Sequence, residues 1–370
     1  MRHNRHDMAT QEPTPSPTPP SSDVARAEQC DAAGAHADAI GHLAAGARKH
    51  DVESMTQLGK RLLVGDRSPC LPKDGAGLIA EASARGGAEA AALLAVLYAV
   101  GTSRGHGVQA GLESLIVAAE RGWPSARAQL RVLAEGPSEL RANDGARASP
   151  SLGTDWRALG RAVDLAAWQA LPAATDVSAS PLVRSYASFA SAAVCRWLIE
   201  RARGRLSRAL VYEAISREVM AKPTRTNTAA VFNIIDTDFV LVLAQLRMSA
   251  CLGVPLRQFE AITVLHYDVG EEITEHYDFV DPHLPSYAQE IAEQGDRVVT
   301  FLVYLNDDYQ GGETAFPRLD ISHKGRRGEG LFFVNSEHGR ADTRTLHAGR
   351  TPVGGEKWIV SQFVRDRAVL

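Results

Sequence analysis

The chain has 370 residues, 45% apolar and 23% charged, which is ordinary for a globular protein and enough for more than one hydrophobic core. A net charge of −4 argues against a nucleic-acid partner, which would favour a basic domain. Cys30, Cys70, Cys195 and Cys251 form no Cys-x-x-Cys pair, the N-terminus lacks an apolar signal core, and no run nears the roughly 18 apolar residues of a membrane span. The expectation is a cytoplasmic chain with no membrane partner.

Residues 1–33 read as a tail: Thr14-Pro-Ser-Pro-Thr-Pro-Pro20 cannot build a packed core and is predicted to be extended. His3 and His6 in such a segment read as inert. Residues 34–137 repeat themselves. Segments beginning at Asp51, Gly87 and Trp123 align at 36-residue steps, and Ile79/Leu115, Ala82/Ala118, Arg85/Arg121 and Gly86/Gly122 keep the same step. A period in the mid-thirties with small residues at fixed positions means stacked helix pairs. Gly86 and Gly122 are predicted to supply left-handed caps. The pattern resembles Sel1-like repeats, relatives of the tetratricopeptide repeat, and implies either a protein-binding surface or a buttress for the next domain.

Residues 138–180 are a connector rich in loop formers. Within it, 155–171 has an amphipathic helical pattern, with Trp156, Leu159, Val163, Ala166 and Ala167 on one side. Residues 181–370 form the last domain. Helices are predicted over Ala192–Arg203, with Val194, Leu198 and Ile199 inward, and over Asp236–Leu252, stopped by Gly253. Strands follow at Glu260–Asp268, Arg297–Leu305, Gly330–Val334 and Lys357–Val364. Arg297–Leu305 is almost continuously apolar, as expected of a strand covered on both faces. Strands with Gly/Pro turns and no βαβ rhythm argue for a double-sheet jelly roll, so the whole chain reads as α+β: a helical solenoid followed by a double-stranded β-helix.

The chemistry sits in that last domain. Side chains two apart on a strand share a face, so His276 and Asp278 can reach one ion. Two imidazoles and one carboxylate with open positions suit non-haem Fe(II); His347 is the candidate third ligand. The chain has two other His-x-Asp pairs. His36/Asp38 falls in a helical stretch, where i and i+2 diverge. His266/Asp268 ends a mostly apolar run and is a real rival.

The surrounding blocks separate the two. Tyr267-Asp268-Val269-Gly270 with His276-Tyr277-Asp278, then Arg297–Asn306, Gly311-Gly-Glu-Thr-Ala-Phe-Pro317, Gly330–Asn335, and Leu346-His347-Ala348-Gly349 with Pro352-Val353 and Gly355-Glu356-Lys357-Trp358 resemble, in order, the prolyl 4-hydroxylase-like branch of the 2-oxoglutarate/Fe(II) dioxygenases. The resemblance covers about 181–367. It implies Fe(II) held by His276, Asp278 and His347. It also implies 2-oxoglutarate gripped by Lys357, ten residues after His347. Lys357 alone would read as a snorkelling surface lysine; in this context it is a buried cation that a diacid would pair. Thr300 and Tyr304, on one strand face, are expected to add hydroxyls, and Tyr267 to contact the cosubstrate. Trp358, on the opposite face, reads as core. Arg225-Thr226-Asn227 fits either the edge of the substrate cleft or an ordinary turn.

The implied reaction consumes 2-oxoglutarate and O₂, with L-ascorbate keeping iron reduced, and hydroxylates a C–H bond, first of all of a prolyl residue. A protein or peptide substrate would enter the cleft, with the Sel1-like repeats as a second contact. The sequence departs from the family in the longer turn Lys324-Gly-Arg-Arg-Gly-Glu-Gly330, and Asp281-Pro282-His283 is placed to shape a substrate loop. Three readings compete: a catalytically inactive jelly-roll binding module, a hydroxylase of a free amino acid or small molecule, and a zinc hydrolase, which has no use for Lys357.

Overall fold

The structure, a computed structural model, describes residues 22–101, 106–138, 155–209, 211–213, 218–220, 224–280 and 285–369. The expected tail before Ser22, with His3 and His6, and the segment Asp281-Pro282-His283 lie outside the described residues. The last residues of the expected tail are not extended. Ser22–Ala32 is a helix, α1, because Val24 and Ala27 bury against Leu43, Leu58 and Leu62 of the helices that follow.

The repeats are antiparallel helices: α2 (His36–Arg48), α3 (Val52–Val64), α4 (Pro72–Ala84), α5 (Ala88–Ala99), α6 (Val108–Glu120) and α7 (Pro124–Glu135). The 36-residue step governs their contacts as well as their sequence. Gly86 (φ 103°) and Gly122 (φ 92°) are both left-handed. The next amides, of Gly87 and Trp123, each return to a carbonyl five residues back, Ala82 and Ala118, at 2.9 Å. A Cβ on Gly75 would lie 2.7 Å from the Gly59 carbonyl oxygen, and one on Gly111 2.6 Å from that of Ala95. Glycine at these two positions lets the paired helices touch backbone to backbone.

The connector is partly structured. The single helix expected over 155–171 is two, α8 (Trp156–Ala162) and α9 (Leu165–Gln169), because Asp164 stops the first and caps the second through the Ala167 amide. The break leaves Ala166 exposed and buries Trp168. The connector also supplies the edge strand of the main sheet. That sheet has eight strands: β1 (Ala174–Ala179), β2 (Leu182–Tyr186), β3 (Ser207–Arg208), β4 (Thr228–Phe232), β5 (Ile262–Tyr267), β7 (Arg297–Tyr304), β10 (Gly330–Val334) and β12 (Lys357–Arg365). Their spatial order is β1-β2-β10-β7-β12-β5-β4-β3. A four-stranded sheet has the order β9-β8-β11-β6, with β6 Ile273–His276, β8 Thr314–Phe316, β9 Ile321–His323 and β11 His347–Gly349. All pairings are antiparallel, and the sheets form a jelly roll.

Alternation along β12 divides the interior. Ile359 joins Leu265, Tyr267, Leu302, Tyr304, Phe316 and Phe333 inside the roll. Trp358 and Val360 face the other way, into a second core shared with the helices. Helix α10 (Ala192–Arg203) buries Val194 and Leu198 there as expected, with Ile199 half-buried. Helix α11 (Phe239–Leu252) is the hinge of the assembly. Residues 239–244 are buried without interruption, so this helix is covered on every side. One side packs on the sheet. The other meets α5, α6 and α7, where the Phe239 amide donates to Gln129 Oε1 at 2.9 Å and the Phe239 ring abuts Gly111. One continuous apolar cluster runs from Ala91 and Leu115 through Phe239 to Val264 and Trp358. The last described helix, α12 (Pro285–Gln294), lies against the open end of the roll. Among the described residues no helix is long and apolar enough to cross a membrane.

Phe239→Ala, at the junction of repeats and sheet, is expected to destabilise the whole chain by about 3–5 kcal/mol, read from the denaturant midpoint by circular dichroism. A loss confined to the helical signal, with the sheet unaffected, would contradict the shared core.

Candidate metal centre

Strands β6 and β11 are neighbours, and their register sets His347 directly opposite His276. The imidazole centroids are 4.3 Å apart. Strand β6 ends at His276, so Asp278 lies in the turn beyond it, yet its carboxylate stays on the same side. The turn is held by the Val280 amide, which donates to Asp296 at 2.9 Å. His276 Nε2 stands 3.5 Å from Asp278 Oδ1, and His347 Nε2 stands 3.3 Å from Oδ2. With bonds of about 2.0–2.2 Å to one cation, donors at right-angled to tetrahedral positions lie about 2.9–3.5 Å apart. The triad fits that requirement.

Each histidine is oriented by its own backbone. His276 Nδ1 donates to the Thr274 carbonyl at 2.8 Å and His347 Nδ1 to the Thr345 carbonyl at 3.0 Å. Both bonds fix the same tautomer and leave Nε2 as the free donor. Asp278 is held from behind. Thr300, on β7, donates its hydroxyl to Oδ2 at 2.7 Å and itself accepts from Asn335 Nδ2 at 2.8 Å. Burial works to raise the Asp278 carboxyl, but the imidazoles of His347 and His276 outweigh it and keep the carboxyl well below its usual range. Burial lowers His347, and Asp278 overcompensates and raises it. A cation entering here displaces that proton.

The triad opens onto a cavity of about 440 Å³ between the sheets. Lys357 lines it from β12. The side chain is 1% exposed, and among the described residues its ammonium has no ion-pair partner. Burial pushes this lysine down to about 7, opposed by Glu313. Its cross-strand partner is Tyr267, whose ring centroid is 5.1 Å from Nζ; the Tyr304 ring is 5.9 Å away. Burial raises both phenols far above their ordinary range, so both remain hydroxyl donors. The Tyr304 hydroxyl donates to Thr314 Oγ1 at 2.8 Å, and Thr314, not Tyr304, lines the cavity. Tyr304 therefore acts through Thr314. The expectation for Thr300 is corrected: its proton goes to Asp278, because an inward-facing hydroxyl on β7 meets the carboxylate before it meets the lysine end. Thr314 and Asn335 were missed. Both lie in blocks whose residue pattern marks the family but gives no role to a single hydroxyl or amide.

The other end of the cavity has aromatic walls. Tyr277 and Phe279 pack at 4.6 Å, and Tyr287 of α12 and Phe363 of β12 complete the lining. Arg225 lines the cavity, which favours the cleft-edge reading of the Arg225-Thr226-Asn227 segment over an ordinary turn. Buried Arg365 ties α12 to the sheet, donating to Glu290 and to Glu260, both at 2.6 Å. Arg297 pairs with the same Glu260 through Nε and one Nη, one to each carboxylate oxygen. The rival pair does not enter the cavity: His266 and Asp268 face away, alongside Glu356.

The sequence model of the 2OG-Fe(II) oxygenase superfamily matches residues 262–365, the stretch that holds the triad and Lys357. The C-terminal half carries a 2OG-Fe(II) oxygenase domain. Prolyl 4-hydroxylase 1 of Arabidopsis thaliana is 28% identical over 200-odd residues, 207 in all, covering 52% of this chain and 71% of that protein. Among solved structures, a viral collagen prolyl hydroxylase from Paramecium bursaria Chlorella virus-1, in its 2OG complex, covers 49% of this chain and 94% of its own at 25% identity and a TM-score of 0.39. A Sel1 repeat protein from Oxalobacter formigenes covers 36% of this chain and 53% of its own, at 16% identity and a TM-score of 0.26. The oxygenase family implies Fe(II), 2-oxoglutarate and O₂. The residues present fit them: two imidazoles and a carboxylate suit ferrous iron, and a buried ammonium with no ion-pair partner among the described residues suits the far carboxylate of a diacid.

Thr300→Val is expected to weaken divalent-metal affinity by about 10- to 100-fold without removing a ligand. Equilibrium dialysis against Mn²⁺ reads this. Unchanged affinity would show that Asp278 needs no orienting bond.

Proposed function

We propose that this oxygenase domain hydroxylates a C–H bond of a prolyl residue in a protein or peptide. His276, Asp278 and His347 hold Fe(II), and Lys357 anchors 2-oxoglutarate. The observation that carries the reading is the convergence of the three metal donors and one buried ammonium, without an ion-pair partner among the described residues, on a single cavity. An inactive binding module has no need of that set, and a zinc hydrolase has no need of the ammonium.

When bound, iron with 2-oxoglutarate and O₂ supplies the oxidant, and 2-oxoglutarate leaves as succinate and CO₂. The chain's own residues do the rest. The Thr274 and Thr345 carbonyls hold the Nδ1 protons, so that Nε2 is the nitrogen each imidazole offers to the metal. Thr300 holds Asp278 so that its carboxylate cannot rotate away. Lys357, with the Tyr267 and Thr314 hydroxyls beside it, offers a charge-assisted grip inside the roll, where water does not compete. The apolar side chains Leu265, Leu302 and Ile359 line this inner end. The wider end, walled by Tyr277, Phe279, Tyr287 and Phe363, suits a prolyl ring, which docks on aromatic faces. L-ascorbate, as a reductant of stray oxidised iron, belongs to the same proposal. The helical repeats offer a protein substrate a second surface.

The test is succinate release from 2-oxoglutarate together with mass-spectrometric detection of one added oxygen on proline-containing peptides. His276→Ala or His347→Ala is expected to abolish both, and His266→Ala to leave most of the turnover. The reverse outcome would refute the ligand assignment. An added oxygen found only on a free amino acid would move the substrate to the small-molecule class.

Lys357→Ala is expected to raise the 2-oxoglutarate concentration at half-saturation by about 10- to 100-fold, the worth of a hydrogen bond to a charged group. The pH dependence has a definite sign. The free lysine loses its proton near pH 7, and a bound dianion favours the charged form. Affinity for 2-oxoglutarate should therefore fall as pH rises above about 7, by up to about tenfold per pH unit. Titration calorimetry without O₂ measures it; an affinity flat from pH 7 to 9 would exclude Lys357 as the anchor.

A further inference from the structure

Residues 266–268 alternate across β5 and its extension. Tyr267 faces the cavity, while His266 and Asp268 face the opposite side. β12 begins at Lys357, which faces inward, and Glu356, just before the strand, lies on the outer side with His266. Since Lys357 and Tyr267 are direct cross-strand partners, the outward residues also meet. One nitrogen of His266 and one oxygen each of Asp268 and Glu356 lie within 4.8 Å of one another.

We propose that His266, Asp268 and Glu356 form a second divalent-cation site, distinct from the iron centre and suited to Zn²⁺. The imidazole is pre-aimed. His266 is 7% exposed, its ring packs against Trp358 at 4.3 Å, and Nδ1 is bonded to Thr228 Oγ1 at 3.1 Å. This leaves Nε2 pointing at the two carboxylates. Nε2 donates a hydrogen bond to Glu356 Oε2 at 3.0 Å, and a Zn²⁺ would take the place of the shared proton between two atoms already at a ligand–ligand separation. Asp268 Oδ1 is 3.9 Å away on a side chain 72% exposed, free to close the difference. One imidazole with two carboxylates is a donor set that Zn²⁺ accepts, with water completing the shell.

The charge balance favours a cation. Arg203 pairs with the other oxygen of Glu356 at 3.2 Å and lies over the Trp358 ring, so it neutralises one charge without occupying Oε2. Asp268 remains, and Glu271 stands close by, its carboxylate accepting from the Asp268 amide at 2.9 Å. Lys357 points to the other face of the sheet. A cation here would tie the ends of β5 and β12 together directly behind the Tyr267–Lys357 pair.

The test is metal stoichiometry of the full chain, by equilibrium dialysis against Zn²⁺ alone followed by elemental analysis. The wild type is expected to hold two equivalents, and Asp268→Asn and Glu356→Gln one each. Asp268 is exposed, so its substitution leaves folding intact, which circular dichroism checks. Asp268→Asn combined with His347→Ala is expected to hold none. The proposal is overturned if Asp268→Asn and Glu356→Gln retain the wild-type stoichiometry, or if the wild type holds a single equivalent that His347→Ala removes. It stands, and the reading of the iron centre fails instead, if His347→Ala keeps both equivalents while Asp268→Asn loses one.

Discussion

The antiparallel register of β6 and β11 is the constraint on which the chemistry rests. It sets His276 opposite His347 across a short pairing in the smaller sheet. A slip of one residue would turn one imidazole to the outer face, because side chains alternate along a strand. Nothing in the two histidines themselves prevents such a slip. The burial of Ile273 and Ala348 and the antiparallel pairing of β8 with β11 do. Each imidazole is then aimed by the carbonyl two residues before it. A triad assembled from two distant segments thus depends on local backbone bonds for direction and on sheet register for proximity.

The second element is a charge that the fold leaves uncompensated. Lys357 is wholly buried, flanked by aromatic rings, and has no ion-pair partner among the described residues. Such a group costs stability in the free protein and returns it when an anion binds. Lys357, Tyr267 and Thr314 line the cavity together with the metal donors and the aromatic side chains Tyr277, Phe279, Tyr287 and Phe363. Opposite faces of β5 and β12 carry different chemistry: hydroxyls and an ammonium inward, an imidazole and carboxylates outward.

The helical repeats do more than stand beside the catalytic domain. Residues 239–244 of helix α11 are apolar on all sides, so they need cover from both the sheet and the repeats. Gly111 provides the space in which the Phe239 ring meets α6. Stacked repeats bury a continuous core only when their ends are covered, and here the sheet domain covers one end. This supports the buttress reading of the repeats and leaves their outer surface available to a partner.

Much of the architecture was legible in the residues alone. The 36-residue step predicted the helix pairs and their glycine caps, since a repeat must reuse the same close contacts. Periodicity located α10 and α11, and ordered motif blocks located the triad and Lys357. The misses share a cause. Helix α1 lies in a polar segment whose few apolar side chains matter only once α2 and α3 are present. The break at Asp164 follows from one cap that competes with an otherwise continuous pattern. The roles of Thr300 and Thr314 could not be assigned, because period two gives the face of a hydroxyl but not its nearest neighbour across the sheets. The inward pair and the outward pair, likewise, are equivalent on paper: His276-x-Asp278 and His266-x-Asp268 have the same spacing. Composition and spacing determined which residue types could do chemistry. Only the tertiary structure, by bringing His347 to one pair and Glu356 to the other, decided which donors meet and which side of the sheet they face.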